Sequence, residues 1–459
     1  MDKVLNELIN IEWKSILLIL GIILVMLIVI KLADMKFKLK GETKRKLFHM
    51  GMGLSMLALP YIFTSMFSVS ILAVIALIAL YILKNTKLKK SLGNVIYDVE
   101  RKSYGEIYFT LSVLAIFYLS KGDKILYGVP ILILTLADST AALIGKSYGK
   151  KNLAQDNEDS KSIEGSFMFF MVAFIVTLVP LLLYTEVGRE ETLLISLIVG
   201  FNVALVEMIS HSGNDNILIP LTTFAFMSIH LTNNVETLRI HVLIIGILFI
   251  LATIVNRIKF LSKLAIVEAI VIAYLTTILF GWYAIIPPLI LLLVVFRFPK
   301  LRENEKSNQY DARIIETNVI IPIALCGISA ITQMKKEIFL LYATAYGMHL
   351  VINSFVRFKY YVKLSEIKSL IIAIIKGIVF AFIPAIAIQL WIFGEFSSII
   401  MILVSLITLI LSGIVIYIRK RKIETDEISI DNGYKQMGIV LVLTCLMAGT
   451  QFVLHYFNL

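Results

Sequence analysis

Cysteine is almost absent from this 459-residue chain: Cys326 and Cys445 are the two, and both sit inside apolar runs. Neither a disulfide framework nor a Cys-ligated zinc site can be built from them. Charge is sparse too, at 16% of residues, against about 25% in an ordinary soluble domain. Histidine is rare as well. His230, His241, His349 and His455 show no ligand spacing, and His211 falls in a loop. The first apolar run is followed by a basic cluster and not by a small-residue cleavage site, so it reads as a retained first span.

Apolar residues make up 59% of the chain, with a mean hydropathy of +0.89. That excludes a soluble enzyme and points to a polytopic membrane protein. Runs near 15–32, 47–64, 66–83, 104–120, 126–143, 164–184, 192–210 and 217–231 form a first half. Runs near 240–256, 264–281, 283–298, 318–333, 338–356, 369–391, 397–418 and 437–456 form a second. The expected fold is all-α, a transmembrane helical bundle of about 14–16 spans without a β domain, in two parts, 1–235 and 236–459.

A net charge of +11 could suggest nucleic acid, but the cations lie in short clusters between apolar runs. With the N-terminus outside, 34 of the 43 Lys and Arg fall in inward-facing loops and 8 in outward-facing segments. This follows the positive-inside rule and accounts for the basicity without nucleic acid. The bias toward Ile and Lys suggests a bacterial or archaeal cell membrane.

The unusual polar residues gather on the inner side. Gly41 to His49 leads into the second run, the fifth ends in Asp138 to Lys150, Lys161 to Ser166 opens the sixth, and the seventh ends at Glu207, followed by Ser210 to Asn216. Asp138 is placed about 7–8 Å inside its span at 1.5 Å per residue, where a carboxylate is costly unless paired or metal-bound. Glu207 is expected at similar depth, so the two could converge on a Mg²⁺ that bridges phosphate oxygens. The alternative is that each forms a structural ion pair.

Gly145 and Gly149 are four apart, as are Lys146 and Lys150, which allows close backbone approach to a polyanion or, equally, tight helix packing and basic anchoring. The spacing is not that of a Walker A loop. Lys161, Ser162, Glu164, Gly165 and Ser166 place a cation, hydroxyls and a carboxylate at a helix start, suited to phosphate or to a capping box from Ser160 to Glu164. Arg45, Lys46 and His49 can face the same pocket or act as a snorkelling anchor.

Together these residues resemble the dolichol kinase and phytol kinase family of polyprenol kinases over residues 41 to about 223. The resemblance rests on Arg45-Lys46-x-x-His49, Asp138-x-x-Ala141-x-x-x-Gly145-x-x-x-Gly149-Lys150, Lys161-Ser162-x-Glu164-Gly165-Ser166, and Glu207-x-x-Ser210 with Asp215, Asn216 and Pro220. It implies a membrane-embedded site open to the cytoplasm, CTP as phosphoryl donor, a divalent cation such as Mg²⁺, and a lipid alcohol as acceptor. It implies that Asp138 is the metal-binding or catalytic carboxylate, with Glu207 and Asp215 as partners. Lys146, Lys150 and Lys161 would neutralise phosphates, and Gly145, Gly149, Gly165 and Ser166 would shape the loop around them.

The second half has no repeat of this set. Gly281-Trp282-Tyr283 and Asp311 to Asn318 are faintly similar to the phytyl phosphate kinase family, but Ala345 to His349 lacks the acid such a site needs. A non-catalytic duplicate and an accessory lipid-handling domain both remain open. A phosphatidate cytidylyltransferase and a transporter or lipid flippase are the competing functions. A transporter would place charged or broken-helix features near the midplane of both halves, whereas the acids cluster at one face of one half.

Overall fold

The computed structural model describes residues 11–86, 93–97, 104–149, 161–211, 213–258, 261–296, 312–332, 334–360, 362–395, 398–423 and 430–456. Among the described residues every element is helical and no β-strand occurs. The chain divides into two compact units, Met1–Gly246 and Ile247–Leu459.

The first unit contains α1 (Trp13–Phe37), α2 (Gly41–Met56), α3 (Leu59–Ile62), α4 (Met66–Asn85), α5 (Asn94–Tyr97) and α6 (Gly105–Ser120). These are followed by α7 (Lys124–Tyr148), α8 (Ile163–Tyr184), α9 (Arg189–Ile209), α10 (Asp215–His230) and α11 (Val235–Ile258), within which the division falls. All sixteen apolar runs coincide with helices. Among the described residues ten helices are long and apolar enough to cross a membrane, and four more apolar helices are shorter. Neither α2 nor α10 belongs to these groups. Each has 16 residues, or about 24 Å at 1.5 Å per residue, short of a ~30 Å hydrocarbon layer. The second run is also broken after Met56, ahead of Pro60 in α3.

Local chemistry sets the ends of the elements that matter. Asp123 caps α7, its carboxylate accepting from the amides of Ile125 at 2.8 Å and Leu126 at 2.9 Å. Glu12 ties the start of α1 to the loop before α4, accepting from Thr64 N at 3.0 Å, Thr64 Oγ1 at 2.9 Å and Ser65 N at 3.3 Å. Burial acts to raise the Glu12 pKa, but these hydrogen bonds outweigh it and hold it below the ordinary carboxylate value.

Within α7 the turn Ile133–Ala137 is wound as a π-helix, immediately before Asp138. Such turns are rare, shift the helical register locally and often accompany functional sites. The helix continues to Tyr148, so Asp138 lies ten residues from its end, about 15 Å along the axis. The apolar run itself ends near Leu143, five residues after Asp138, and the polar stretch beyond it extends the same helix.

The close packing of α8 on α9 centres on Gly200, where an added methyl would lie 3.1 Å from the backbone nitrogen of Phe174 and 3.2 Å from its Cα. Backbone cannot yield as a side chain can, so Gly200→Leu is expected to destabilise the protein by about 1–3 kcal/mol. Thermal unfolding of the purified protein in detergent measures this; an unchanged midpoint would contradict the contact.

The second unit contains α12 (Lys263–Phe280), α13 (Ile286–Phe296), α14 (Ala312–Thr332), α15 (Lys335–Tyr360), α16 (Glu366–Phe393), α17 (Ile399–Ile423) and α18 (Ile430–Tyr456). Its centre is α15, buried along nearly its whole length. Tyr342 on this helix donates to the Ala284 carbonyl at 2.6 Å, and Gln389 Nε2 donates to the Lys336 carbonyl at 3.0 Å. Both groups thereby avoid the cost of an unpaired polar group in an apolar interior.

Candidate functional site

The site is assembled from the ends and turns of α2, α7, α8, α9 and α10. Lys46 and Gly53 are seven residues apart on α2, two turns along one face. Gly53 has no side chain where Thr135 of the π turn packs: an added methyl would fall 2.7 Å from Thr135 Cγ2. With the helices that close, Lys46 Nζ reaches Asp138 Oδ2 at 2.6 Å. One turn further along α2, the His49 ring packs edge-on against Phe109 of α6, centroids 5.2 Å apart. His49 and Asp138 also interact electrostatically.

A second ion-pair system lies at the start of α8. Ser162 caps that helix, its Oγ accepting from Gly165 N at 3.1 Å. Capping does occur here, but from Ser162; Ser160 lies outside the described residues. The cap leaves Lys161 just ahead of the helix, with Nζ 2.5 Å from Glu207 Oε1 and 3.8 Å from Asp215 Oδ2. Ser166 Oγ donates to the other Glu207 oxygen at 3.2 Å.

Glu207 is 3% exposed and Asp138 8%, so neither carboxylate is stabilised by bulk water and each depends on its ammonium partner. Glu207 lies in the last turn of α9, where the helix dipole also disfavours an anion. Burial acts to lower the Lys161 pKa, but Glu207, Asp215 and Asp138 together raise it above the ordinary lysine value. Lys161 is therefore an ammonium throughout the neutral range, and all three acids bear on it. The structural ion pair considered as an alternative for each acid is thus present.

The glycines take the packing role. A methyl on Gly165 would lie 3.0 Å from the Ala141 carbonyl oxygen and 3.3 Å from Gly145 Cα, and one on Gly149 would lie 2.8 Å from Ser162 Cβ. Gly145, Gly149 and Gly165 thus bring α7 and α8 together, and so bring Asp138 toward Lys161. Lys146 is exposed on the last turn of α7, Arg45 and Glu164 are half-buried at the edges, and Lys150 lies outside the described residues. Asn216, at the start of α10, donates to the Gly105 carbonyl of α6 at 3.1 Å and anchors the helix that carries Asp215.

Lys44 is buried and bound to Asp34 at 3.2 Å, a partnership the sequence does not show. No local signal distinguishes it from its basic neighbours, since the acid it meets is fixed by the α1–α2 turn.

Among the described residues, no three His, Cys, Asp or Glu side chains cluster closely enough to hold a metal by themselves. Mg²⁺ seldom requires that, being held by one or two carboxylates together with phosphate oxygens and water. Glu207 and Asp215 already converge on one cation, the Lys161 ammonium. The donor set is all oxygen, the chemistry Mg²⁺ prefers.

Over 126 residues the chain is 32% identical to a phytol kinase from Synechocystis sp., a match covering 27% of this chain and 53% of that protein. The chain therefore spans about half the length of the relative it matches. No family model matches the chain. No solved structure matches it.

Proposed function

We propose that the protein is a membrane-embedded lipid-alcohol kinase that transfers the terminal phosphoryl group of CTP to the hydroxyl of a polyprenol, phytol or related alcohol. The observation that carries the proposal is the convergence, in the first unit, of Lys46 with Asp138 and of Lys161 with Glu207 and Asp215. These residues come from four segments that each bear one of the motifs in which the sequence resembles polyprenol kinases. The similarity to a phytol kinase supports the same reading.

Phosphoryl transfer needs charge neutralisation, alignment and a base for the hydroxyl, and little covalent chemistry from the protein. Lys161 and Lys46, with Arg45, Lys146 and Lys150 nearby in sequence, would neutralise phosphate oxygens. Glu207 and Asp215, with Asp138, would hold Mg²⁺, which when bound offsets charge on the phosphates. The alcohol oxygen attacks the terminal phosphorus, the bond from that phosphorus to the β–γ bridging oxygen breaks, CDP leaves, and the hydroxyl proton passes to a carboxylate, for which Asp138 is our assignment. In the resting site Lys46 and Lys161 hold the acids, and a polyphosphate would draw the ammoniums toward itself.

The test is product analysis with the purified full chain in liposomes, given Mg²⁺, γ-labelled CTP and a pool of phytol, polyprenols and diacylglycerol. Label is expected in an organic-phase lipid monophosphate with release of CDP, and ATP is expected to be a poorer donor. Pyrophosphate release with a CDP-lipid product would replace this reading with cytidylyl transfer. A folded protein that transfers no label would overturn it.

A further inference from the structure

A recess lies at the other end of the helices that carry the charged site. Between the turn that holds α3 and the α6–α7 hairpin is a pocket of about 420 Å³, within the ~300–1,000 Å³ of small-molecule sites. Phe63, Met66 and Phe117 are among its apolar lining, and Thr64, Ser120 and Lys121 are its polar lining. Lys124 begins α7 and Asp138 follows fourteen residues later, about 21 Å along the axis at 1.5 Å per residue. The pocket is thus separate from the charged site and independent of the kinase reading.

Most of the polar groups around it are already occupied. Thr64 donates to Glu12 at 2.9 Å, Ser120 Oγ donates to the Phe117 carbonyl at 3.1 Å, and the Asp123 carboxylate accepts from the first amides of α7. Lys124 Nζ sits over the Tyr61 ring, 4.4 Å from its centroid. Lys121 differs from these. It is exposed and makes no ion pair among the described residues. Its backbone turns left-handed straight after helical Ser120, with φ of 49° at Lys121 and 89° at Gly122, and neither amide has a hydrogen-bond partner among the described residues. A right-handed residue followed by a left-handed one turns successive amides toward a common point, a concavity that accepts anions.

The surroundings say what kind of anion fits. Tyr61 and Tyr118 are 70% and 66% exposed at this end of the helices, as tyrosines are at the level of lipid headgroups. In the topology read from the sequence this end faces outward, where 8 of the 43 Lys and Arg fall, Lys121 among them. An apolar recess with an uncommitted ammonium at headgroup level matches a molecule with hydrocarbon at one end and a phosphate at the other.

We infer that this pocket binds one glycerophospholipid, its phosphate on the Lys121 ammonium and the glycerol end of its acyl chains against Phe63, Met66 and Phe117. The bound lipid joins the α3 turn to the α6–α7 hairpin at the end of the bundle away from Asp138. Tyr127, which donates to the Met56 carbonyl at 2.9 Å, already fixes these two segments relative to each other, so the pocket is formed before the lipid arrives.

The test uses the full chain in detergent micelles with a phosphatidylglycerol that carries a diazirine on an acyl chain next to the glycerol. Saturable label is expected in peptides covering residues 60–66 and 117–122. Unlabelled phosphatidylglycerol and phosphatidylcholine should both compete it away, since both bring the phosphate. Diacylglycerol with the same chains and inorganic phosphate should compete poorly, since each lacks one half of the ligand. Lys121→Gln should weaken binding by about tenfold, the effect of one hydrogen bond to a charged group. Lys124→Gln removes the same charge three residues away and should change binding by about twofold or less.

Diacylglycerol that competes as well as phospholipid would overturn the inference and reduce the pocket to ordinary contact with hydrocarbon. Full competition by inorganic phosphate would overturn it in favour of a free anion. Label spread along the apolar faces of the chain would also refute it, and these wild-type results decide the matter without any variant. Equal losses in Lys121→Gln and Lys124→Gln would remove Lys121 as the phosphate's partner.

Discussion

Asp138→Asn is expected to lower lipid phosphorylation by roughly 10²–10⁴-fold, the range associated with loss of a positioned proton acceptor. The amide is nearly the same size as the carboxylate, so the approach of the π turn to α2 at Gly53 should survive. It cannot take the alcohol's proton, and it leaves Lys46 Nζ, 2.6 Å away, without its counter-charge. Turnover with labelled CTP, measured beside thermal unfolding of the same preparation, separates the two effects. A variant that remains folded and retains half the wild-type rate would remove Asp138 from the chemistry.

Lys161→Met is expected to have the largest effect on stability. Glu207 is 3% exposed, and removing one partner of such a pair leaves an uncompensated charge, a loss of about 3–5 kcal/mol. Ser166 and the remaining interactions cannot supply the missing cation. The double variant Lys161→Met, Glu207→Gln removes both charges and is expected to recover most of the stability while remaining inactive. A raised lysine pKa contributes stability fully below the unfolded value, about 10.4, and loses it only as pH rises through the folded value. The lysine part of the deficit in Lys161→Met is therefore expected to be constant through the neutral range and to shrink only in strong alkali. Unfolding of the three proteins at several pH values checks this, and a double variant no more stable than the single would refute the ion-pair account.

Much of the fold was legible because the physics of a bilayer is legible. A run of apolar residues has no way to satisfy its backbone in hydrocarbon except as a helix, and all sixteen runs fall on helices, the second divided between α2 and α3. Length and charge were less legible: α2 and α10 fell short as spans because the motif residues Lys44, Arg45, Lys46 and His49, and Asp215 and Asn216, take up part of their 16 positions. The π turn before Asp138 was not legible at all, since Ile133–Ala137 is as apolar as any stretch of α-helix.

The candidate site divides in the same way. By themselves, the residues of the sequence determined an all-helical membrane chain and marked Asp138 and Glu207 as carboxylates costly to leave unpaired, while Lys161 stood out at a helix start and Asp215 only through the family resemblance. Only the tertiary structure decided which cation meets which acid, because Lys46 and Asp138 are 92 residues apart and Lys161 and Glu207 are 46 apart, and charge interactions depend on distance in space. It also decided that Gly145 and Gly165 bring two helices together, and that the apolar faces of α1, α2, α4 and α6 leave a small void lined by Met52 and Phe109. Periodicity shows which face of a helix is apolar, but the gap between four such faces depends on side-chain volumes and helix packing that arise only once the chain has folded.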